Sequence, residues 1–397
     1  MLAFNTVRIE TALIFNIFKK EWKFMESKIN LIKIRSMDKS QRLMFFVIHS
    51  CFLLTSLPSW ALQHPTGFVT LEECIEQGNF IENTLQETDS QQFVLSLKNG
   101  VVVNEGGIIT QEGKIFKDTE TYKEDQHHLL ASGRNIASEN SISFKGRLVV
   151  ISSPGQENWY HWLFQVLPRI KILVDSGIEY DKIYLHNMKF NWQSESLSIV
   201  MKHLKIPEDR LFLTTKDDYI IEATDLIVPS VPFIPSKSSI FPSWLKDFIQ
   251  STFLVGVSDA NTPERIYISR SKAAVRRIAN EASLVNLLEK KGFVTLNLEE
   301  LPVQSQAEIF HNAKVIIGPH GSGFTNLIFS KPNTCVIEID HGLNDERQRS
   351  FYKRMAQIMD CQYKGYYADL VEEENLEDDI EVNILDFNDF CAQLGIF

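Results

Sequence analysis

The rhythm of apolar and polar positions changes once along the 397-residue chain, near residue 159. Between residues 92 and 117, short apolar runs (Phe93 to Leu97, Val101 to Val103, Ile108 to Thr110, Lys114 to Phe116) are separated by Asn-Gly, Gly-Gly and Glu-Gly pairs. Short runs punctuated by turn pairs predict a β-meander. Leu148 to Ser152 predicts one more strand. From Trp159 onward, strand-like runs alternate with helix-like ones. The strands fall at Ile183 to Leu185, Leu226 to Val228, Ile266 to Ile268, Phe293 to Leu296, Val315 to Ile317 and Cys335 to Ile339. The helices fall at Leu197 to Leu204, Pro242 to Phe253, Ala282 to Lys290 and Ser305 to Asn312. Such alternation predicts α/β units with parallel strands. Pro229, Pro232, Pro235 and Pro242 cluster where a linker between two α/β domains is expected. The expected division is a leader over 1–61, an N-terminal α/β domain with the meander over 62–241, a C-terminal α/β domain over 242–350, and a C-terminal helix and acidic tail over 351–397.

Composition adds little about the class, with 44% apolar and 23% charged residues, as in ordinary globular proteins. Charge adds more. The net value of −11 argues against a general nucleic-acid binder. Residues 1–42 carry nine Lys/Arg against four Asp/Glu, whereas no Lys or Arg occurs from Gly365 to the end. Residues 369–389 hold ten Asp/Glu and read as a solvated, partly disordered tail.

Residues 43–57 are 15 mostly apolar residues without a formal charge. The run is shorter than the roughly 20 residues of a membrane span and fits the roughly 7–15 of a signal-peptide core. Ser59 and Ala61 stand where a cleavage site needs small residues, and Met37 would give a leader of ordinary length. An uncleaved signal anchor and a buried apolar helix are the other readings. The expected location is membrane-associated or in the secretory or export route, with a cytoplasmic protein peripheral to the membrane as the alternative. The five cysteines form no C-x-x-C pair, so buried free thiols are expected and no structural zinc.

Four segments carry candidate chemistry. Gly318-Pro-His-Gly-Ser-Gly-Phe-Thr-Asn326 follows an apolar strand and precedes a short helical run. A strand, a glycine-rich turn and a helix start can cradle a phosphate, because glycines admit the anion and unpaired N–H groups favour it. The P-loop and dinucleotide fingerprints are both absent, and a plain tight turn fits as well. His320 touches a phosphate on one reading and caps the turn on the other. Residues 265–277 contain Arg265, Arg270, Lys272, Arg276 and Arg277, a local reversal of charge suited to a diphosphate or, more simply, to solvent. Asn280 is the expected N-cap of the following helix.

On a helix from Asn158 to Arg169, the polar residues Asn158, His161, Gln165 and Arg169 share one face, and the rest is apolar from Trp159 to Leu167. The stripe is expected to line an interior cleft, with His161 as a candidate general base or a hydrogen-bonded core histidine. Pro168 should kink or split that helix. Glu338 interrupts the strand Cys335 to Ile339 near its carboxyl end, where it could meet a ribose or sugar hydroxyl or pair with a basic residue.

In this order the segments resemble the family-61 glycosyltransferases over roughly residues 95–345. The resemblance rests on Tyr160-His161-Trp162-Leu163-Phe164 with Leu167-Pro168-Arg169, on Arg276-Arg277-Ile278 with Asn280-Glu281, on Gly318 to Asn326, and on Val336-Ile337-Glu338-Ile339. Pro319, Ser322 and Phe324 depart from the usual glycine turn, which bears on donor choice. The resemblance implies a GT-B-like fold of two facing Rossmann-like α/β domains. It also implies inverting transfer from a nucleotide sugar to a glycan or protein hydroxyl, with no cofactor and no obligatory metal. No D-x-D triplet occurs in the α/β region. On that reading His161 and Arg169 are catalytic, and Asn158, Tyr160 and Gln165 line the acceptor cleft. Arg270, Arg276, Arg277, His320, Gly321, Ser322, Gly323, Thr325, Asn326 and Glu338 bind the donor. A non-catalytic glycan-binding or export-associated protein on the same fold is the rival reading.

Overall fold

A computed structural model describes residues 68–69, 71–76, 80–87, 90–103, 106–109, 115–116, 141–153, 155–214, 220–232, 241–258, 262–342, 346–371 and 379–397. The signal-like run 43–57 lies outside them. No helix among the described residues is long and apolar enough to cross a membrane.

The first sheet is built from β1 (Phe68–Val69), β2 (Phe80–Glu87), β3 (Ser90–Lys98), β4 (Val101–Val103), β5 (Gly107–Ile109), β6 (Ile115–Phe116), β7 (Ser141–Val150), β8 (Lys182–His186), β9 (Leu211–Thr214) and β10 (Ile220–Pro229). Its order is β1-β6-β5-β4-β10-β7-β8-β9, with β3 also on β10 and β2 on β3. The run β10-β7-β8-β9 is parallel. The meander is present as β4, β5 and β6, but β3 does not turn back onto β4. Both lie along β10, β3 against Asp225–Pro229 and β4 against Ile220–Glu222. Asn99-Gly100 does form a turn, with Gly100 N–H donating to Leu97 O, but it leaves the register along β10 unbroken instead of folding β4 back onto β3. Asn99 takes φ +50 and its N–H donates to Thr224 O. A Cβ at Gly100 would stand 2.7 Å from Leu226 Cβ. An Asn-Gly pair supplies the left-handed backbone that such a turn needs.

The second sheet contains β11 (Arg265–Ile268), β12 (Val294–Leu296), β13 (Val315–Pro319), β14 (Cys335–Asp340) and β15 (Gln362–Tyr367), in the order β12-β11-β13-β14-β15, all parallel. Parallel strands are covered on both faces and so read as continuous apolar runs. Val149 and Ile151 of one face join Ile316 and Val336 in one apolar core. Leu148 and Val150 face a second core under the meander, and Ile317 and Ile337 a third. The shared core also takes Leu173, Val200 and Phe253 from α2 (Leu167–Ser176), α3 (Asn191–His203) and α4 (Ser243–Phe253), while α1 (Leu71–Glu76) places Cys74 in the core under the meander. Beyond them come α5 (Glu281–Lys290), α6 (Val303–Asn312) and α7 (Glu346–Ile358). The fold is thus mixed α/β, as expected, with the meander at the edge of the first sheet.

The acidic tail is a correction. Among its described residues, Ile380–Glu381 pairs as a strand with Asp369–Leu370, and Ile384–Gln393 forms helix α8. Phe387 and Cys391 are fully buried against the second sheet. The charge density hides this apolar face, and spaced apolar residues outweigh it because acidic neighbours can point to water. Asn280 stands at the N-cap position, yet its side chain bonds both backbone groups of Val382 rather than its own helix. Cys74, Cys335, Cys361 and Cys391 are free thiols, the first and last buried.

Candidate active site

The segment carrying the polar stripe begins as helix at Trp159–His161, widens into a π turn at Trp162–Val166 and continues as α2. Pro168 accounts for the widening, since it has no N–H and its ring would strike the carbonyl four residues back. Leu167 N–H instead reaches Trp162 O, five residues back. The extra residue per turn divides the stripe. Asn158 caps the start, accepting from Tyr160 N–H. His161 Nδ1 and Gln165 Oε1 meet at 2.6 Å. Burial lowers the His161 pKa, and the Gln165 bond opposes this in part.

Arg169 is buried at the strand ends of the first sheet. It is 1% exposed and donates to Pro229 O through Nε and to Ile151 O and Ser152 O through one terminal nitrogen. These carbonyls lie at the carboxyl ends of β7 and β10. Burial lowers its pKa to about 9, so it remains charged at neutral pH. Its contacts are those of a staple between two strands.

Strand order reverses between β11 and β13, because the chain leaves β11 for β12 on one side and then returns to β13 on the other. Ligands of open α/β sheets bind outside the carboxyl ends at such a reversal. Arg270 follows β11 there, and His320-Gly321 follows β13. Glycines permit this close packing. A Cβ on Gly321 would lie 2.1 Å from a terminal nitrogen of Arg270, and one on Gly318 would lie 2.9 Å from Ile268 Cβ. Gly323 serves tight packing against Ile268 and Leu298. Ser322 opens the 3-10 helix Ser322–Phe329, which buries Thr325 and Asn326 completely.

Asn326 is not placed to reach a donor. Its Oδ1 accepts from Trp159 Nε1 at 2.9 Å, and its Nδ2 donates to Gln306 Oε1 at 2.9 Å.

Arg270 Nε donates to Arg276 O, and its second terminal nitrogen donates to Val275 O. These bonds hold the loop where Arg276 takes φ +54. Arg277 points elsewhere. It forms a bidentate pair with Asp379, which also accepts its backbone N–H. Of the basic segment, Arg270 and Arg276 therefore remain with the glycine turn, and Arg277 fastens the C-terminal segment.

Glu338, near the end of β14, lies 2.5 Å from His320 Nδ1 through Oε1 and accepts from Tyr363 Oη at 2.5 Å through Oε2. Burial and the Glu338 charge both raise the Tyr363 pKa. They also raise that of Tyr352, on which Arg276 and Arg270 act in the opposite sense. Rings connect this cluster to the π-turn segment. His320 and Tyr352 have centroids 5.3 Å apart, Tyr352 and Phe351 5.1 Å, Phe351 and Tyr160 4.5 Å, and Tyr160 and His161 5.1 Å. Among the described residues, no three His, Cys, Asp or Glu side chains converge as a metal site.

Residues 159–337 match the Glycosyltransferase 61 family. The resemblance carried by the four sequence segments is borne out. An EGF domain-specific O-linked N-acetylglucosamine transferase of Drosophila melanogaster is 31% identical over 103 residues, 25% of this chain and 19% of its own length. A xylan glycosyltransferase of Arabidopsis thaliana is 28% identical over 24% of this chain and 20% of its own. A beta-1,2-xylosyltransferase of Oryza sativa subsp. japonica is 29% identical over 29% of this chain and 20% of its own. The chain thus aligns with about a fifth of the length of these relatives. The family and these relatives are glycosyltransferases.

The Glycosyltransferase 61 segment holds His161, Arg270, Arg276 and His320 and ends one residue before Glu338. Tyr352 and Tyr363 lie beyond it and were not singled out from the sequence. The alternation Tyr363, Gly365, Tyr367 was the available signal for a strand reaching this site.

Proposed function

We propose that the chain is an inverting, metal-independent glycosyltransferase acting from a nucleotide sugar on a glycan or protein hydroxyl. The carrying observation is the meeting of Arg270, His320 and Gly321 at the strand-order reversal of the second sheet. Two arginines and a glycine turn there would hold a diphosphate and stabilise the charge it gains on leaving. His161 is the proposed base. It takes the proton of the acceptor hydroxyl, the acceptor oxygen bonds to the anomeric carbon, and the nucleoside diphosphate leaves with the electron pair of the broken C–O bond. The lowered pKa supports this role, because a base must be neutral before it can accept. The two sheets would correspond to the facing domains of a GT-B-like enzyme. The names of the relatives favour transfer of xylose or N-acetylglucosamine, in a setting reached through the signal-like run 43–57.

A thermal-shift series with UDP-, GDP-, CMP- and dTDP-sugars tests the reading. One class should raise the melting temperature and release its nucleotide on addition of acceptor. Gly321→Ala should abolish the shift by displacing the Arg270 guanidinium. No shift with any donor defeats the proposal.

A further inference from the structure

The sequence offered two roles for Glu338, a contact with a sugar hydroxyl or a partnership with a basic side chain, and the geometry favours the second. Its side chain is 2% exposed, and a buried carboxylate requires donors. His320 supplies one at Oε1 and Tyr363 the other at Oε2. Sheet register makes this possible. Glu338 pairs with Gly318 on β13 and Gly365 on β15, so neither neighbour places a side chain beside the carboxylate. Tyr363 lies two residues before Gly365 on the same face. Its Oη is 3.9 Å from the position of a Cβ at 365.

We propose that Glu338 and Tyr363 are positioning residues that grip His320 by Nδ1 and present Nε2 as a donor to a diphosphate oxygen of the bound nucleotide. The inference rests on the diphosphate assignment made above. Nδ1 facing a carboxylate is the donor nitrogen, so a donating Nε2 requires the imidazolium, whose charge Glu338 balances. The other groups around the ring are Tyr352 from α7 and, on the Tyr352 side, Arg270 and Arg276. The diphosphate would then meet three positive side chains on a chain with net charge −11.

The test is calorimetric titration of the full chain with UDP, GDP and dTDP, using whichever binds. His320→Ala should weaken binding about 10- to 100-fold, the range of a charge-assisted hydrogen bond. His320→Gln, which retains a donor, should recover part of the loss. Tyr363→Phe should weaken binding about threefold in the wild-type background and not at all in His320→Ala, with the melting temperature recorded for each variant. A structural role alone would give equal losses in both backgrounds. Equal losses, or unchanged binding in His320→Ala, overturn this inference and leave the glycosyltransferase reading standing. A wild-type chain that binds no nucleoside diphosphate and no nucleotide sugar overturns both.

Discussion

Trp159 and Asn326, separated by 167 positions in sequence, share a hydrogen bond of 2.9 Å from the indole N–H to the amide oxygen. The bond joins the start of the π-turn segment to the buried helix after the glycine turn. Asn326→Ala removes it together with the bond to Gln306. It leaves polar atoms buried without partners and should cost about 1–3 kcal/mol. Urea denaturation should show a lower midpoint. An unchanged midpoint would mean that the two segments are held together without this bond.

Arg169 makes a different kind of connection, through three carbonyls at the ends of β7 and β10. Arg169→Lys cannot reproduce that fork, and Arg169→Met leaves the carbonyls unpaired. Both should lower stability by at least 2 kcal/mol. At a temperature where the Lys variant is folded, its turnover should lie within a few-fold of wild type. A fully stable variant with turnover reduced by about a thousandfold, a loss of general-base size, would restore a catalytic role.

His161 gives a pH signature. Burial lowers its pKa below 6.5, and the Gln165 bond raises it. As a base it works when neutral, so kcat/KM should rise with pH, reach a plateau before neutrality and fall on the acid side. Gln165→Leu removes the raising influence and should move the acid limb to still lower pH. His161→Ala should lose turnover and retain nucleotide binding. An acid limb that stays fixed in Gln165→Leu and persists in His161→Ala assigns the proton transfer to another group.

Arg277 and Asp379 fasten the C-terminal segment, and Ile380 N–H donates to Arg277 O beside them. Hydrogen bonding to Arg277 lowers the Asp379 pKa below 3.8. The stabilisation is therefore present above 3.8 and lost as pH falls through the lower folded value. Arg277→Ala should speed hydrogen exchange at Ile380 near neutral pH and leave nucleotide affinity unchanged. A large loss of affinity would return Arg277 to the donor site.

The parts of the fold visible in the sequence share one cause. Ile266 to Ile268 and Val315 to Ile317 are buried on both faces, so their apolar character is unbroken and their type is plain. Asn99-Gly100 announced its turn but not the pairing around it, because a turn pair does not say whether the next strand folds back or continues along the same partner. Phe387 and Cys391 were hidden among acidic neighbours that affect only the outer face of their helix. The candidate site was partly visible, since glycines and arginines announce phosphate chemistry. Pairing was not visible. Nothing in the spacing of Arg276 and Arg277 says that one stays by the glycine turn and the other meets Asp379. Likewise, Pro168 foretold an irregular helix, but not a π turn that separates Arg169 from His161.

The first sheet has its own reversal of strand order, between β7 and β10. Arg169 lies across it. A guanidinium supplied by the chain itself ties together the ends of the two strands at that reversal. With that end of the first sheet bound to its own chain, a nucleotide titration should saturate at a single equivalent per chain.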